Sequence, residues 1–264
     1  MRNILLLISY DGTDFSGWQR QDRSDGGKPL RTVQGEVELA LEKLHKSKIT
    51  LYGSGRTDSG VHAYAQAANF ISPVDSIPVQ NYPRALNAFL PEDIRIISAS
   101  EKPMAFNSRF SATSRSYRYF INFSEGLSAS QTKYVWDVKN YKPNLDRLNE
   151  LCSCLHGELD CASFASSGDM SLSTNRYIDS AKFYFQKDLF GKELLVFEIE
   201  ANAFLWKMVR TLTGTIVNLD KSGAASDSLK KILDAKDRTF AGVTAPPQGL
   251  FLWKINFDGI RRHV

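Results

Sequence analysis

Residues 49–71 read ITLYGSGRTDSGVHAYAQAANFI. The apolar residues over 49–52 and over 66–71 have the length and composition of two strands. Glycines at positions 53, 55 and 60 mark the segment between them as a loop, because glycine permits positive φ and the close approach of a ligand. The stretch therefore predicts a β-hairpin with an oversized tip.

The flanking segments extend this hairpin into a β-α-β-β-α-β unit. Residues 4–9 are a continuous apolar run of strand length. Thr32 offers an N-cap for an amphipathic helix whose apolar stripe begins at Val37 and which ends near His45. Further along the chain, the pattern gives a helix over 82–89 that Pro91 closes and a strand over 94–97.

The second half of the chain repeats this order. Its pattern predicts strands over 117–123, 177–185, 194–201 and 250–257, and helices over 145–155, 204–219 and 229–233. We therefore expect an α+β protein of two ferredoxin-like units with a mixed, mainly antiparallel sheet, divided into residues 1–105 and 106–264. The alternative is a single irregular α+β domain.

Bulk composition narrows the class of protein. Of 264 residues, 42% are hydrophobic and 23% are charged, which is ordinary for a globular chain. No segment approaches the roughly 20 apolar residues that span a bilayer, so we expect no membrane role. The N-terminal apolar run is followed by Tyr10-Asp11-Gly12 instead of a small-residue cleavage site, which predicts a cytoplasmic protein.

Three cysteines, Cys152, Cys154 and Cys161, lie close together. Their odd number argues against a disulfide framework, and their spacing, with only His156 nearby, does not match a zinc finger or ribbon. We expect buried or half-buried thiols and no metal, with metal ligation as the less favoured alternative.

The hairpin tip carries one carboxylate, Asp58, beside Arg56. A carboxylate on such a loop can be a nucleophile, a general base, a metal ligand or an ordinary turn former. Metal binding is poorly supported because hard cations need several oxygen ligands and the loop has no second carboxylate. From the residues alone, Asp58 as a turn former and Asp58 as a chemically active group are equally favoured.

Residues 102–124 alternate cationic and aromatic side chains. Between Glu101 and Glu125 no acidic residue occurs. Arginines can neutralise phosphates while aromatic rings stack on unpaired bases, which indicates an RNA-binding surface. A core strand with solvated arginines is the alternative; it is favoured for the phenylalanines, whereas ligand contact is favoured for Arg115 and Tyr117.

A third segment, 201–210, lies at a predicted strand-to-helix junction. Asn202 is placed to cap the helix, and Phe204, Met208 and Leu212 would form one apolar stripe. Arg210 falls close to that apolar side, where a guanidinium usually has a carboxylate partner. An arginine on a solvated helix face is the alternative.

Taken together, these segments resemble the TruA family of tRNA pseudouridine synthases over residues 10–257. The motifs that carry the resemblance are YDGTDFSGWQRQ at 10–21, GRTDSGVHA at 55–63, RFSAT at 109–113 with YRY at 117–119, NAF at 202–204 with MVR at 208–210, and GLFL at 249–252. Two departures occur: Ser59 stands where the family usually has Ala, and Leu205-Trp206-Lys207 replaces a more polar stretch.

The resemblance implies a cofactor-free enzyme that isomerises uridine at about positions 38 to 40 of the tRNA anticodon arm. It implies Asp58 as the catalytic aspartate, Tyr117 as the aromatic ring on the target base, and Arg210 as the partner of Asp58. Arg56 would occupy the space left by the flipped uridine, and the other expected substrate contacts are Thr57, His62, Arg20, Arg109, Arg115 and Asn202.

The resemblance also implies a homodimer with tRNA bound in a central cleft. Three alternatives remain open: a family member with other target positions, a non-catalytic protein that binds structured RNA, and a hydrolase with Asp58 as nucleophile. The hydrolase is the weakest, because glycoside hydrolysis normally needs a second nearby carboxylate.

Overall fold

The computed structural model describes residues 1–21 and 30–262. Contacts within the chain define two compact units. Unit 1 contains residues 1–113 and 251–259, and unit 2 contains residues 114–250 with the end of the chain from residue 260. The division into domains at residue 105 stays a prediction.

Unit 1 has the predicted β-α-β-β-α-β order. Its elements are β1 (Arg2–Tyr10), α1 (Val33–His45), β2 (Tyr52–Gly53), β3 (His62–Ser72), α2 (Tyr82–Asn87) and β4 (Ile94–Lys102). The strands pair antiparallel in the order β4-β1-β3-β2, which is the ferredoxin-like arrangement. The predicted strand over 49–52 is shorter than expected, since only Tyr52 and Gly53 pair with β3.

Local sequence explains the first two elements of unit 1. In β1, Ile4, Leu6 and Ile8 are fully buried, as expected when alternate side chains face one side of a sheet. Thr32 caps α1 as predicted, because its side-chain oxygen accepts a hydrogen bond from the Gly35 backbone N–H. Val37 is among the buried residues of that helix.

Unit 2 is built on four antiparallel strands and a short fifth strand. The elements that follow β4 in the chain are β5 (Ser114–Asn122), β6 (Trp136–Asp137), α3 (Leu145–Cys152), β7 (Gly157–Asp160), β8 (Asn175–Lys187), β9 (Glu193–Ala201), α4 (Met208–Ser222), α5 (Ser228–Ala235) and β10 (Leu250–Asn256). Strands β5, β9, β8 and β7 pair antiparallel in that order, and β6 joins β5 in parallel. Sequence patterns missed β6 and β7, which are too short to show a period.

Strand β10 returns to unit 1. Its Phe251 and Leu252 pair in parallel with His62 and Ala63 of β3. Because β1 occupies one edge of β3, β2 and β10 share the other edge at different heights. The α+β class with a mixed, mainly antiparallel sheet is thus confirmed.

The start of α4 differs from the prediction. The helix begins at Met208, and Lys207 precedes it in the left-handed region with φ of 59°. Asn202 does not cap it. The Asn202 backbone N–H donates to the Tyr177 carbonyl at 3.0 Å, and its side-chain oxygen accepts from the Tyr177 N–H at 3.0 Å. Pairing with β8 therefore holds Asn202 outside the helix.

Gly214 in α4 leads to a stability prediction. A Cβ at this position would lie 1.9 Å from the Val243 carbonyl oxygen, which is backbone and cannot move aside cheaply. We expect Gly214→Ala to lower the free energy of unfolding by about 1–3 kcal/mol, although alanine is the better helix former by about 1 kcal/mol. Urea unfolding followed by circular dichroism measures this change.

Ser222→Ala, at the exposed end of the same helix, is the matched control for Gly214→Ala. It should change the free energy of unfolding by less than about 0.5 kcal/mol. A Gly214→Ala variant as stable as the parent would contradict the close approach of the Val243 backbone.

Candidate active site

The loop between β2 and β3 carries the predicted catalytic residues of unit 1. Arg56 is exposed, Thr57 is buried, and Asp58 is half-buried. The Val61 backbone N–H donates to the Asp58 carbonyl at 3.2 Å, and Gly60 has a φ of 76°. These features make a tight turn that begins at Asp58.

The segment from Tyr10 to Trp18 packs along this loop. The Tyr10 hydroxyl and the Thr57 hydroxyl lie 2.7 Å apart in a hydrogen bond. The Trp18 backbone N–H donates to the Thr57 carbonyl at 3.1 Å, and the Ser59 hydroxyl donates to the Phe15 carbonyl at 3.1 Å. Hydrogen bonds therefore restrain the residues on both sides of Asp58.

Two glycines permit this contact between segments. A Cβ at Gly12 would lie 2.0 Å from the Val61 carbonyl oxygen. A Cβ at Gly17, where φ is 101°, would lie 2.7 Å from the Thr57 carbonyl oxygen. Any larger residue at either position would push the two segments apart.

His62, the first residue of β3, is fully buried. Its Nδ1 accepts a hydrogen bond from the Gly12 backbone N–H at 2.9 Å and lies 3.2 Å from Asp11 Oδ1. Its ring stacks on Phe251, with centroids 4.6 Å apart. Thr57 and His62 are thus both buried and hydrogen-bonded within the protein, and substrate contact at these two residues stays a prediction.

Unit 2 positions the predicted aromatic residue, Tyr117, on β5. Its side chain is 8% exposed and packs edge-on against Phe204, with centroids 5.1 Å apart. Arg115, two residues earlier, donates from Nη1 to the Asn202 carbonyl at 2.7 Å. The Asn202 side-chain N–H donates to the Arg262 carbonyl at 3.0 Å, and its side-chain oxygen accepts from the Tyr177 N–H. Both polar atoms of the Asn202 side chain therefore bond within the protein.

Arg210 lies in the first turn of α4 and is half-buried. Its Nε donates to the Ala245 carbonyl at 2.8 Å, while the Ala245 backbone N–H donates to the Arg210 carbonyl at 3.1 Å. Burial raises the pKa of Tyr119, and the positive charge of Arg210 opposes that rise. The bond from Nε to Ala245 restrains the guanidinium group, and the backbone bond ties the same segment to the first turn of α4.

Two of the expected RNA contacts are exposed arginines of unit 1. Arg20 pairs with Glu38, with 3.4 Å between Nη1 and Oε2. Arg109 lies 5.8 Å from the Phe110 ring centroid, and both side chains are exposed. An exposed cation beside an aromatic ring is suited to a phosphate and an unpaired base.

The cysteines are thiols in unit 2. Cys152 and Cys161 are buried and Cys154 is half-buried. Burial raises the pKa of Cys161 to about 12 and also raises the pKa of Cys152, which keeps both protonated and unreactive near neutral pH. Across the described ranges, no cluster of three or more His, Cys, Asp or Glu side chains is placed to hold a metal ion.

The sequence interpretation gave no role to the residues that hold the loop, above all Tyr10, Gly12, Gly17 and Trp18. They all belong to the first of the quoted motifs, so the signal was present as a resemblance. The physical reason for these residue types becomes visible only when the segment is seen against the loop.

A sequence model of a known family matches this chain over residues 6–111 and 151–258. That family is described as tRNA pseudouridine synthase. The chain belongs to the tRNA pseudouridine synthase family. The matched ranges include Asp58 and Arg210 and leave out residues 112–150, which contain Arg115 and Tyr117.

Curated members of the synthase family are similar along nearly their whole length. A protein named tRNA pseudouridine synthase A from Treponema denticola is 51% identical, over 97% of this chain and 93% of its own. Proteins of the same name from Treponema pallidum and Brachyspira hyodysenteriae are 46% and 40% identical, over 92% and 97% of this chain and 84% and 99% of their own.

Among solved structures, one titled "Crystal Structure of a Cbf5-Nop10-Gar1 Complex" covers 83% of this chain and 54% of its own chain. It is 9% identical with a TM-score of 0.32, a likeness too low to bear on fold or activity. In the part of the chain described, no helix is long and apolar enough to cross a membrane.

Proposed function

We propose that this chain converts uridine to pseudouridine in tRNA, with Asp58 as the nucleophile. The observation that carries the proposal is the placement of Asp58 in a chain of the synthase family. Asp58 is a half-buried residue on a loop that hydrogen bonds restrain on both sides of it, two positions after the exposed Arg56. A carboxylate on a restrained and partly exposed loop is suited to react with a bound nucleotide.

The proposed reaction breaks the bond between N1 and C1′ of uridine, rotates the uracil and forms a bond from C1′ to C5. The proton on C5 is lost and a proton is gained at N1, so no external group, oxidant or reductant is required. Asp58 would add to C1′, add to C6 of uracil, or remove the proton from C2′. All three routes need an ionised carboxylate held at a fixed place.

The target base must leave its stack to reach Asp58, at a cost of about a few kcal/mol. We propose that Arg56 occupies the space left by the flipped uridine, which its exposure next to Asp58 allows. Tyr117 would stack on the uracil and assist proton movement at C5. Arg210 would hold the Asp58 carboxylate ionised and aimed, since a cation within about 4–6 Å favours the charged form.

The RNA-binding surface is assigned to the arginines. Arg20 and Arg109 are exposed, and Arg115 is half-buried. Each can neutralise a phosphate and release counterions. We place the target uridines at about positions 38 to 40 of the anticodon arm, a region of accessible, poorly stacked bases. Mapping pseudouridine in tRNA from cells with and without this enzyme tests that placement.

The decisive experiment is incubation of the purified protein with uridine-labelled tRNA, followed by nuclease digestion and chromatography of the nucleosides. Pseudouridine as the product supports the proposal. Unchanged uridine would indicate a protein that binds RNA without catalysis. Free uracil would indicate a hydrolase, because hydrolysis releases the base that isomerisation retains.

We further propose that the enzyme works in the cytoplasm as a homodimer that holds one tRNA across both subunits. The support for this proposal is the family resemblance. Sedimentation equilibrium should give twice the mass of one chain, at protein concentrations used for the assay. A single-chain mass with full activity would contradict the dimer and leave the proposed chemistry intact.

A further inference from the structure

Tyr10 connects the loop to the centre of the unit 1 sheet. It is the last residue of β1, the strand that pairs with both β3 and β4. Its side chain is 4% exposed, and its hydroxyl bonds the hydroxyl of Thr57, which is itself buried. The residue directly before Asp58 is thus joined by a side-chain hydrogen bond to a central strand.

His62 secures the loop where it enters β3. Its Nδ1 accepts a hydrogen bond from the Gly12 backbone N–H. Asp11, beside Nδ1, is itself held because its Oδ1 accepts from the backbone N–H of Thr13 at 3.0 Å and from the Thr13 hydroxyl at 2.6 Å. The loop therefore re-enters the sheet at a buried and tightly bonded residue.

We propose that Tyr10 and His62 are positioning residues for the nucleophile: Tyr10 holds the residue before Asp58, His62 holds the loop where it enters β3, and together they fix the place of the Asp58 carboxylate. The proposal rests on the proposed role of Asp58. Both side chains are buried, so each acts through the loop and not by touching RNA. A displacement of a reacting group by about 1 Å can cost about 100-fold in rate, so the loss of one anchor should affect the chemical step.

The first test makes the same substitution, Tyr to Phe, at two buried positions of unit 1. Tyr10→Phe removes the hydroxyl that holds Thr57. Tyr82→Phe removes an equally buried hydroxyl of unit 1 that donates to Ser72 at 2.9 Å, away from the loop. We expect similar melting temperatures for the two variants and an unchanged tRNA Kd.

The rate should separate these variants. For Tyr10→Phe we expect kcat to fall about 10- to 100-fold with KM within about twofold, whereas Tyr82→Phe keeps the parental kcat. Equal kcat values for Tyr10→Phe and Tyr82→Phe would overturn the role of Tyr10. A loss that follows the melting temperature in both variants would also overturn it, because it would be a general effect on folding.

Thr57 provides an internal check by a double-mutant cycle. Thr57→Val removes the partner hydroxyl, and we expect it to lower kcat as much as Tyr10→Phe does. The double variant should be no slower than either single variant, since both remove the same bond. Thr57→Ser retains a hydroxyl and should restore most of the rate. Losses that multiply in the double variant would show that the bond is not what positions the loop.

His62 is tested by rescue with a residue that keeps the acceptor. Asn has a side-chain oxygen at about the position of Nδ1, whereas Leu has the volume and no acceptor. We expect His62→Asn to retain a kcat about 10-fold above that of His62→Leu when both variants are folded. Equal rates would overturn the role of His62, and so would full activity of His62→Leu.

These outcomes are distinct from failure of the proposed function. If Asp58→Asn retains turnover, the nucleophile assignment is wrong and the positioning proposal falls with it. If Asp58→Asn is inactive while Tyr10→Phe and His62→Leu are as fast as the parent, Asp58 remains the nucleophile and only the positioning roles are wrong.

Discussion

Asp58→Asn should abolish pseudouridine formation while tRNA Kd stays within about tenfold of the parent. The amide of Asn has nearly the size and shape of the carboxylate. The turn at Val61 is made by backbone atoms, so the loop can keep its conformation. The amide lacks the negative charge and the nucleophilic oxygen that all three proposed routes require. Tritium release from tRNA labelled at C5 of uridine measures turnover, and filter binding measures Kd.

Asp75→Asn is the matched control for Asp58→Asn. Asp75 is an acidic residue of the same unit, its side chain is 68% exposed, and it lies outside the loop and the segment against it. This variant should keep the parental rate. Asp58→Asn that still releases tritium at a rate above about 1% of the parent would sink the nucleophile assignment.

Local patterns in the sequence predicted much of unit 1. The cap at Thr32 and the apolar stripe from Val37 are interactions within one turn or two of a helix, so residues near in sequence determine them. The loop was also located correctly, because glycine at position 60 adopts the positive φ that such a turn requires.

The burial of Thr57 and His62 could not be read from the loop itself. Their partners, Tyr10 and Gly12, lie 47 and 50 positions earlier in the chain. No periodicity connects residues so far apart, so the sequence does not indicate the partners of these two side chains. Only the fold reveals that their hydrogen bonds are made within the protein.

The prediction for the start of α4 was wrong for a related reason. Asn is a favoured N-cap residue, but at Asn202 the backbone and side chain bond to Tyr177 on β8. A turn in which the Met208 N–H donates to the Leu205 carbonyl at 3.1 Å then starts the helix six residues later. Tertiary pairing outweighed local preference, and this placed Arg210 in the first turn.

Arg210→Ala should lower kcat by at least about 100-fold. The proposed role of Arg210 is to hold the Asp58 carboxylate charged and aimed, and misplacing a reacting group by about 1 Å can cost about 100-fold in rate. Arg210→Lys keeps the charge but not the planar fork or the Nε bond to Ala245, so we expect an intermediate rate. Single-turnover kinetics with saturating enzyme measure the chemical step directly.

Lys221→Ala, an exposed cation in the last turn of α4, separates the position of Arg210 from its charge alone. It should weaken tRNA binding by no more than a few-fold at low salt and leave the single-turnover rate unchanged, because a solvated cation can contribute only to general attraction of phosphates. Equal losses of single-turnover rate in Lys221→Ala and Arg210→Ala would mean that Arg210 contributes only to this general attraction of phosphates. Lysine at position 210 keeps the positive charge but loses the planar guanidinium group and its bond to Ala245. An Arg210→Lys variant as slow as Arg210→Ala would therefore assign the whole effect to the guanidinium group and not to its charge.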